Sequence, residues 1–434
     1  MKAPLLILLA TLARVVAGAP GPARVDASTL KGKLIMGYQG WFACPGDNHP
    51  RGAWVHWFAR GTASAVNTTV DLLPDVSELD ADERCTTPWV SRRGKPVQLF
   101  SSQNPKTVAR HFLWMKQHGI DGVALQRFIV GVRPSPNSPA LDRVLANVRS
   151  ASEAHGRVFH IMYDVAGADP ANWAQRLADD WARLEAEGVT RSSAYQRHRG
   201  RPVLAIAGIG LKTRPSTAEG TLRLIAELKK ISAPYGGITL LGSLPTNWRT
   251  LDGDNIPDPA WTKVYQSLDV MSPWTVGRFR DDAGADRYRK ERLEPDIAEA
   301  RRLGIDYMPV VFPGFSWWNL MSYRKQAEER HAATNAIPRR CGRFYWHQVA
   351  NAVDAGATML YGAMFDEVDE GTAMFKIVAD SKDLPAEPPF VALDADGCAL
   401  PSDWYLQLAG KAAQLLRGAI PLSFDLPIHA QLSK

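Results

Sequence analysis

The chain has 434 residues, of which 45% are hydrophobic and 22% are charged. These proportions exclude a disordered or fibrous protein, and the length suits one large barrel domain or two medium ones. The formal net charge of +6 is small for this length, and no run of lysine and arginine marks a nucleic-acid surface, so we expect no nucleic-acid partner.

The first 19 residues have the pattern of a cleaved secretory signal peptide. Lys2 precedes the apolar run LLILLATLARVVA, and small residues follow at positions 17–19. No later window offers the roughly 18 uninterrupted apolar residues of a membrane helix. The mature protein is therefore predicted to be secreted, extracellular or periplasmic, with no membrane partner, and we expect a monomer.

Four cysteines fit an oxidising compartment and allow three pairings. Nearness in sequence favours Cys44 with Cys85 and Cys341 with Cys398. A zinc site is disfavoured because the chain has no Cys-x-x-Cys spacing. No dinucleotide fingerprint and no phosphate-binding glycine loop is present, so we predict neither a metal nor a cofactor.

From residue 33 onward, short apolar runs alternate with amphipathic stretches. The runs predict eight strands at 34–42, 122–128, 158–165, 203–209, 238–242, 264–273, 307–312 and 359–365. Helical patterns lie at about 105–118, 140–155, 170–187, 217–232, 287–303 and 343–355, and a last helix is predicted at 403–416. This alternation favours an α/β fold over residues 20–434, a single (β/α)8 TIM barrel. Its weakest part is residues 247–261, which have the pattern of a loop where a helix is needed.

Two long insertions follow the first and seventh predicted strands, at residues 43–100 and 313–340. Both would lie at the carboxyl-terminal mouth of the barrel, where barrel enzymes place their active sites. The eighth strand ends at the same mouth in MLYGAMFDEVDEGT, residues 359–372. Here an apolar run changes abruptly to Asp366, Glu367, Asp369 and Glu370. Like charges at the mouth of a buried strand raise pKa values, which suits acid–base cleavage of a glycosidic bond.

Aromatic, amide and carboxylate side chains follow the other strands and favour a sugar site. The predicted substrate-binding residues are Tyr38, Trp41, His56, Trp57, Gln126, Arg127, Tyr163, Asp164, Trp274, Trp317 and Asp366. Each has a structural alternative. The tryptophans fill the barrel rim equally well, His56 suits a structural hydrogen bond, Arg127 suits an ion pair with Asp164 or Glu367, and the acidic run suits a solvated or calcium-binding loop.

Five motifs in this order resemble the endo-α-mannosidase family of glycoside hydrolases: GYQGWF with WVHWF, NPKTVARHFLWMKQHGIDGVAL, FHIMYDV, VVFPGFSW and MFDEVDEGT. The resemblance covers residues 37–372 and is closest to secreted relatives grouped with endo-α-mannosidases and fungal α-1,3-glucanases. In the last motif the family has a Glu, two intervening residues and then Glu-Gly-Thr at the end of the eighth strand. The resemblance implies that Glu370 is the acid/base at the glycosidic oxygen and that Glu367 takes a proton from the sugar 2-hydroxyl.

That pair of roles requires a particular sugar. In an α-mannoside the 2-hydroxyl lies trans to the leaving group and can attack C1 once deprotonated, giving an epoxide that water opens with net retention. An α-glucoside needs a carboxylate to attack directly or to activate water, with carboxyl groups about 5 Å or about 6.5–9.5 Å apart respectively. The sequence also departs from the family, since Asp164 follows a tyrosine where the family has a glutamate, and Gln126 and Arg127 replace an aromatic segment. An arginine there would favour an acidic or sulfated sugar.

The leading interpretation is therefore a secreted glycosidase that acts on an α-linked oligo- or polysaccharide. Two alternatives stay open on the sequence alone. One is a barrel that binds glycan without cleaving it, and the other is a metal-dependent hydrolase that uses the carboxylates of residues 366–370 as ligands.

Overall fold

The structure is a computed structural model, and it describes residues 24–330, 332–429 and 431–432. The predicted signal peptide, residues 1–19, lies outside the described residues. No helix among the described residues combines the length and the apolar character needed to cross a bilayer.

Eight parallel strands form a closed barrel, which confirms the predicted fold. The strands are β1 Leu34–Tyr38, β2 Gly122–Phe128, β3 Val158–Asp164, β4 Arg201–Ala207, β5 Thr239–Leu244, β6 Val270–Pro273, β7 in two segments Asp306–Tyr307 and Val310–Val311, and β8 Leu360–Gly362. Each strand pairs with the next in parallel. Closure is completed by β8, which pairs with the second segment of β7 and with β1, in the register Leu34 opposite Leu360.

Helices surround the barrel and connect its strands. They are α1 Pro105–His118, α2 Ser138–His155, α3 Trp173–Ala186, α4 Ala218–Ser232, α5 Trp261–Gln266, α6 Asp282–Tyr288, α7 Glu294–Arg302, α8 Trp318–Tyr323, α9 Arg343–Asp354 and α10 Trp404–Leu416. Helix α1 shows how the sequence sets its ends. Asn104 accepts a hydrogen bond from the amide of Lys106, Pro105 fixes the first turn, and Gly119 ends the helix at a φ of 76°.

The bounds predicted for the first and sixth strands are wrong. Residues 261–266 form helix α5, and only Val270–Pro273 of the predicted sixth strand is extended. Trp261, Val264 and Tyr265 are all buried, and their spacing of three and four residues is that of a helix face. The first strand ends at Tyr38 because Gly40, at a φ of 60°, turns the chain.

The barrel strands bury side chains on both faces. Ile35, Ala124 and Met162 belong to one apolar cluster inside the barrel, whereas Met36, Val123 and Ile161 belong to the cluster between the strands and the helices. Successive residues of a strand therefore face opposite layers, as the two-residue period of a strand requires. This alternation decides which predicted residues reach the mouth of the barrel.

Both predicted disulfides are confirmed. Cys44 and Cys85 are bonded across the insertion after β1, with their Cα atoms 6.3 Å apart, and Cys341 is bonded to Cys398 with a Cα separation of 6.0 Å. The insertion after β1 includes an antiparallel hairpin of Arg84–Val90 and Pro96–Phe100.

Candidate active site

Asp366 anchors the acidic segment to the end of β1. Its side chain is fully buried, with one carboxylate oxygen 2.7 Å from the amide nitrogen of Gln39 and the other 2.9 Å from that of Gly40. Burial raises the pKa of Asp366 to about 7, although the two amide hydrogen bonds act in the opposite direction. The prediction that Asp366 contacts substrate is corrected, because both of its oxygens are occupied by main-chain donors.

Glu367 lies just beyond Asp366 and is held by neutral donors. Its side chain accepts hydrogen bonds from the Gln39 amide at 2.9 Å and from the Thr372 hydroxyl at 3.3 Å, and the residue is 6% exposed. Burial raises its pKa well above the ordinary value, and the negative charges of Glu370, Asp369 and Asp366 raise it further. This carboxyl group is therefore protonated more readily than a surface glutamate.

Glu370 is the more open of the two glutamates. Its main-chain carbonyl accepts a hydrogen bond of 2.9 Å from the amide of Ser316, and its side chain is partly exposed. Burial and then the charge of Asp369 raise its pKa to about 7, while Arg324 and Arg214 oppose that rise. Neither glutamate forms an ion pair within the described part of the chain. An acid with a pKa near neutrality thus faces the barrel mouth.

The loop that carries the glutamates is locked to the insertions after β1 and β7. Gly371 has a φ of 65°, and a Cβ atom there would lie 2.6 Å from the nitrogen of Ser316. Only glycine meets both conditions without strain. Asp71, from the insertion after β1, accepts a hydrogen bond from the Ser316 hydroxyl and bonds of 2.8 Å from the amides of Trp318 and Asn319 at the start of α8.

Trp41 and His56 form an aromatic pair beside the acidic loop. Their rings stack with a centroid distance of 3.9 Å and an angle of 4°. The side chain of His56 is 38% exposed, and its Nδ1 lies 3.9 Å from a carboxylate oxygen of Asp369. The structure therefore brings these two predicted residues next to the carboxylates.

Gln126, Asp164 and Trp274 lie at inward-facing strand ends. The side-chain amide of Gln126 donates to the hydroxyl of Tyr361 at 3.1 Å, and the Trp274 ring lies 6.2 Å from the Tyr361 ring. Asp164 is partly exposed, and its charge contributes to the raised pKa of Glu370, which places it near that glutamate. Burial in turn raises the pKa of Asp164.

Trp317 lies on the loop after β7, one residue after Ser316. Its ring packs on Phe315 with centroids 5.1 Å apart, and the residue stays partly exposed. The position puts a partly exposed tryptophan beside the loop that carries Glu370.

The predicted contacts of Arg127 and Tyr163 with substrate are corrected. Arg127 is 1% exposed and donates to Asp180 at 2.5 Å and to Asp142 at 2.6 Å, both on the surrounding helices. The hydroxyl of Tyr163 also donates to Asp180, at 2.7 Å. Both side chains point out of the barrel, since they neighbour the inward-facing Gln126 and Asp164 in their strands.

Tyr38 and Trp57 likewise lie in the core rather than in the cleft. Tyr38 is fully buried, with its hydroxyl 2.9 Å from Nδ1 of His111 on α1. Trp57 is fully buried and donates from its indole nitrogen to the carbonyl of Phe100 at 2.9 Å. The predicted set also omits Gln39 and Thr372, which hold Glu367. Gln39 could have been predicted, because it is a side-chain amide at the end of a strand, as Gln126 is. Nothing local in the sequence marks Thr372 as a donor to Glu367.

No group of three or more His, Cys, Asp or Glu side chains with metal-binding geometry occurs among the residues that the structure describes.

No family model matches the sequence, and no curated protein matches it. Two solved structures of the GH99 endo-alpha-mannosidase from Bacteroides thetaiotaomicron are similar in fold, one of them in complex with BIS-TRIS-propane. They superpose with TM-scores of 0.64 and 0.63 at 15% sequence identity, over 90% of this chain and 99% of theirs. The chain therefore shares the barrel fold of these proteins.

Proposed function

We propose that the protein is a secreted glycoside hydrolase that cleaves an α-linked glycan, an α-mannoside or a related sugar, with retention of configuration. The observation that carries this proposal is the pair Glu367 and Glu370. Both have raised pKa values, both follow β8 at the barrel mouth, and neither forms an ion pair with another described residue. Two carboxyl groups that exchange protons at the two sides of a sugar bond are the requirement of glycosidic cleavage.

In the first step Glu370 donates its proton to the glycosidic oxygen while Glu367 removes the proton of the 2-hydroxyl. The 2-oxygen then attacks C1 from behind, the bond to the leaving group breaks, and a 1,2-epoxide forms. In the second step water attacks C1, Glu370 accepts a proton from that water, and Glu367 returns a proton to the 2-oxygen. Each carboxyl group ends in its starting state, and two inversions at C1 give net retention.

The roles require Glu370 to be protonated and Glu367 to be ionised when the sugar is bound. In the free site burial raises the pKa of both carboxyl groups, and the negative charges of neighbouring carboxylates raise them further. A sugar 2-hydroxyl that donates a hydrogen bond to Glu367 stabilises its ionised form, and a leaving-group sugar that covers Glu370 removes water from it. Substrate binding therefore favours the ionised form of Glu367 and the protonated form of Glu370.

The aromatic side chains around this pair support a sugar substrate. Trp41 stacked on His56, Trp274 and Trp317 are partly or largely exposed at the mouth, and such rings bind the apolar faces of sugars. The metal-dependent alternative is disfavoured by Asp366, because both of its oxygens already accept main-chain amide hydrogens.

The test is a screen of the purified protein on α-mannan, α-1,3-glucan and complex glycans, with NMR of the first anomer released. We expect Glu370→Gln to lose about 10² to 10⁴ in rate on ordinary glycosides. On a glycosyl fluoride, whose leaving group needs no proton, the same variant should release fluoride in its first turnover at nearly the wild-type rate. Its steady-state turnover should stay lowered, because Glu370 also takes a proton from the attacking water. Glu367→Gln should be slow in the first turnover on both kinds of substrate. The matched control is Glu219→Gln, an exposed glutamate on α4.

An inverted first product would contradict the epoxide route. Equal losses of Glu370→Gln in the first turnover on the fluoride and on ordinary glycosides would contradict the acid role of Glu370. Binding of glycans without turnover of any substrate would favour the non-catalytic alternative.

A further inference from the structure

A second cleft opens on the same end of the barrel as the glutamates. It has a volume of about 760 Å³ and lies between the loop after β5, at residues 246–254, and the segment 277–292 that follows β6. None of its lining residues belongs to the acidic segment 366–370. The loop after β6 also carries Trp274, so the cleft adjoins the mouth of the barrel.

Four arginines line this cleft: Arg278, Arg280, Arg287 and Arg292. Arg278 pairs with Asp254 at 2.7 Å, but Arg280, Arg287 and Arg292 form no ion pair and no side-chain hydrogen bond within the described ranges. A guanidinium group without a partner is a strong donor to a carboxylate or sulfate, because it presents paired N–H groups in one plane.

The carboxylates of the cleft are largely occupied by the protein itself. Asp254 accepts hydrogen bonds from the main chain and hydroxyl of Thr246, both at 2.9 Å, and from the amide of Asn247 at 3.1 Å. Asp281 accepts the amide of Gly284 at 2.7 Å. The lining holds four arginines against three carboxylates, Asp254, Asp281 and Glu291, so its formal charge is +1.

Two aromatic side chains lie beside the arginines, the buried Phe279 and the partly buried Tyr288. The rings of Phe279 and Tyr288 line the cleft with their centroids 5.3 Å apart, and the Tyr288 hydroxyl has no hydrogen-bond partner in the described part of the chain. The volume falls within the range of about 300–1,000 Å³ typical of ligand sites. Cationic groups next to aromatic rings match a sugar ring that bears a negative substituent.

We propose that this cleft binds an anionic stretch of a glycan, through uronate carboxylates or sulfate esters held by Arg280, Arg287 and Arg292. It is a second binding site, apart from the glutamates, and would hold a charged polysaccharide along the barrel mouth. The proposed site would bind the glycan whether or not the protein hydrolyses it.

The experiment is isothermal titration of the full-length protein with four probes: tetragalacturonate, a sulfated dextran tetrasaccharide, neutral dextran tetrasaccharide and sodium sulfate. The variant Arg280→Gln/Arg287→Gln is compared with Lys95→Gln/Lys116→Gln, which removes the same charge from exposed positions elsewhere. Thermal melting of both variants confirms that they fold.

We expect at least one of the two anionic oligosaccharides to bind the wild type more tightly than the neutral one, and that binding to weaken with salt. The arginine variant should bind it about tenfold more weakly or worse, and the lysine variant should match the wild type. The proposal is overturned if neither anionic oligosaccharide binds, if sulfate alone binds as tightly as they do, or if both variants lose affinity equally. None of these readings depends on glycosidase activity, so a failure here is distinct from a failure of the proposed function.

Discussion

Replacing Asp366 by Asn tests whether burial controls the ionisation of the acidic segment. Asp366 is fully buried, and its pKa rises from 3.8 to about 7 in the folded chain. Each tenfold change in proton affinity corresponds to about 1.36 kcal/mol, so that rise corresponds to about 4 kcal/mol in the free energy of unfolding. Because the pKa in the folded chain lies above that in the unfolded chain, the protonated form stabilises the fold. This stability is fully present below pH 4 and is lost as the pH rises through 7.

Asparagine is neutral throughout this range and nearly the same size. Its oxygen retains one of the two hydrogen bonds from Gln39 and Gly40, so at pH 4 we expect the variant to be somewhat less stable than the wild type. Between pH 4 and pH 8 the difference in the free energy of unfolding should shift by about 4 kcal/mol in favour of the variant.

The assay is urea unfolding at constant ionic strength over pH 4–8, followed by tryptophan fluorescence with the disulfides intact. A pH-independent difference between the two proteins would refute the reasoning. It would mean that the two amide hydrogen bonds outweigh desolvation and that Asp366 is an ordinary ionised carboxylate.

Three further substitutions separate the roles of other residues. His56→Ala should raise KM severalfold for a cleaved glycan and leave the melting temperature nearly unchanged, since the ring is partly exposed; an unchanged KM would contradict its place in the cleft. Arg127→Met should cost about 3–5 kcal/mol in urea unfolding because it leaves Asp180 short of a partner in the core. The kcat/KM of the folded variant should match that of the wild type. A selective loss of activity would show that Arg127 does contact substrate. Gly371→Ala should lower both the melting temperature and kcat, because its Cβ meets the amide of Ser316; wild-type values for both would contradict the tight fit.

The strand and helix pattern was largely predictable because local signals set it. Strand β2 has the predicted bounds, Gly122–Phe128, and α1 begins and ends at the predicted Pro105 and His118. The proline and glycine at the ends of α1 act on their own neighbours, so no tertiary information is needed. Helix α5, residues 261–266, was not predicted. Six residues are too few to show the hydrophobic period of a helix clearly, and an apolar strand follows soon after.

The orientation of the site residues was only partly predictable. Gln126 and Arg127 are adjacent in β2, so they cannot both face the inside of the barrel, and the two-residue period of a strand already states this. Which of them points inward depends on the register of the closed sheet, and that register is a property of all eight strands. Asp366 poses a different difficulty, because the amides that occupy its oxygens lie 326 and 327 residues away in the chain.

The outward turn of Arg127 has a consequence for the chemistry at the mouth. A guanidinium group that pointed inward from this strand would stand close to the glutamates and would lower their pKa values. Instead its charge is neutralised by Asp180 and Asp142 in the helix layer. Burial and the neighbouring carboxylates raise the pKa of Glu367, and its donors are a neutral amide and a hydroxyl rather than a cation. The alternation of one strand thus keeps the charge of Arg127 away from two neighbouring carboxyl groups, whose pKa values are both raised.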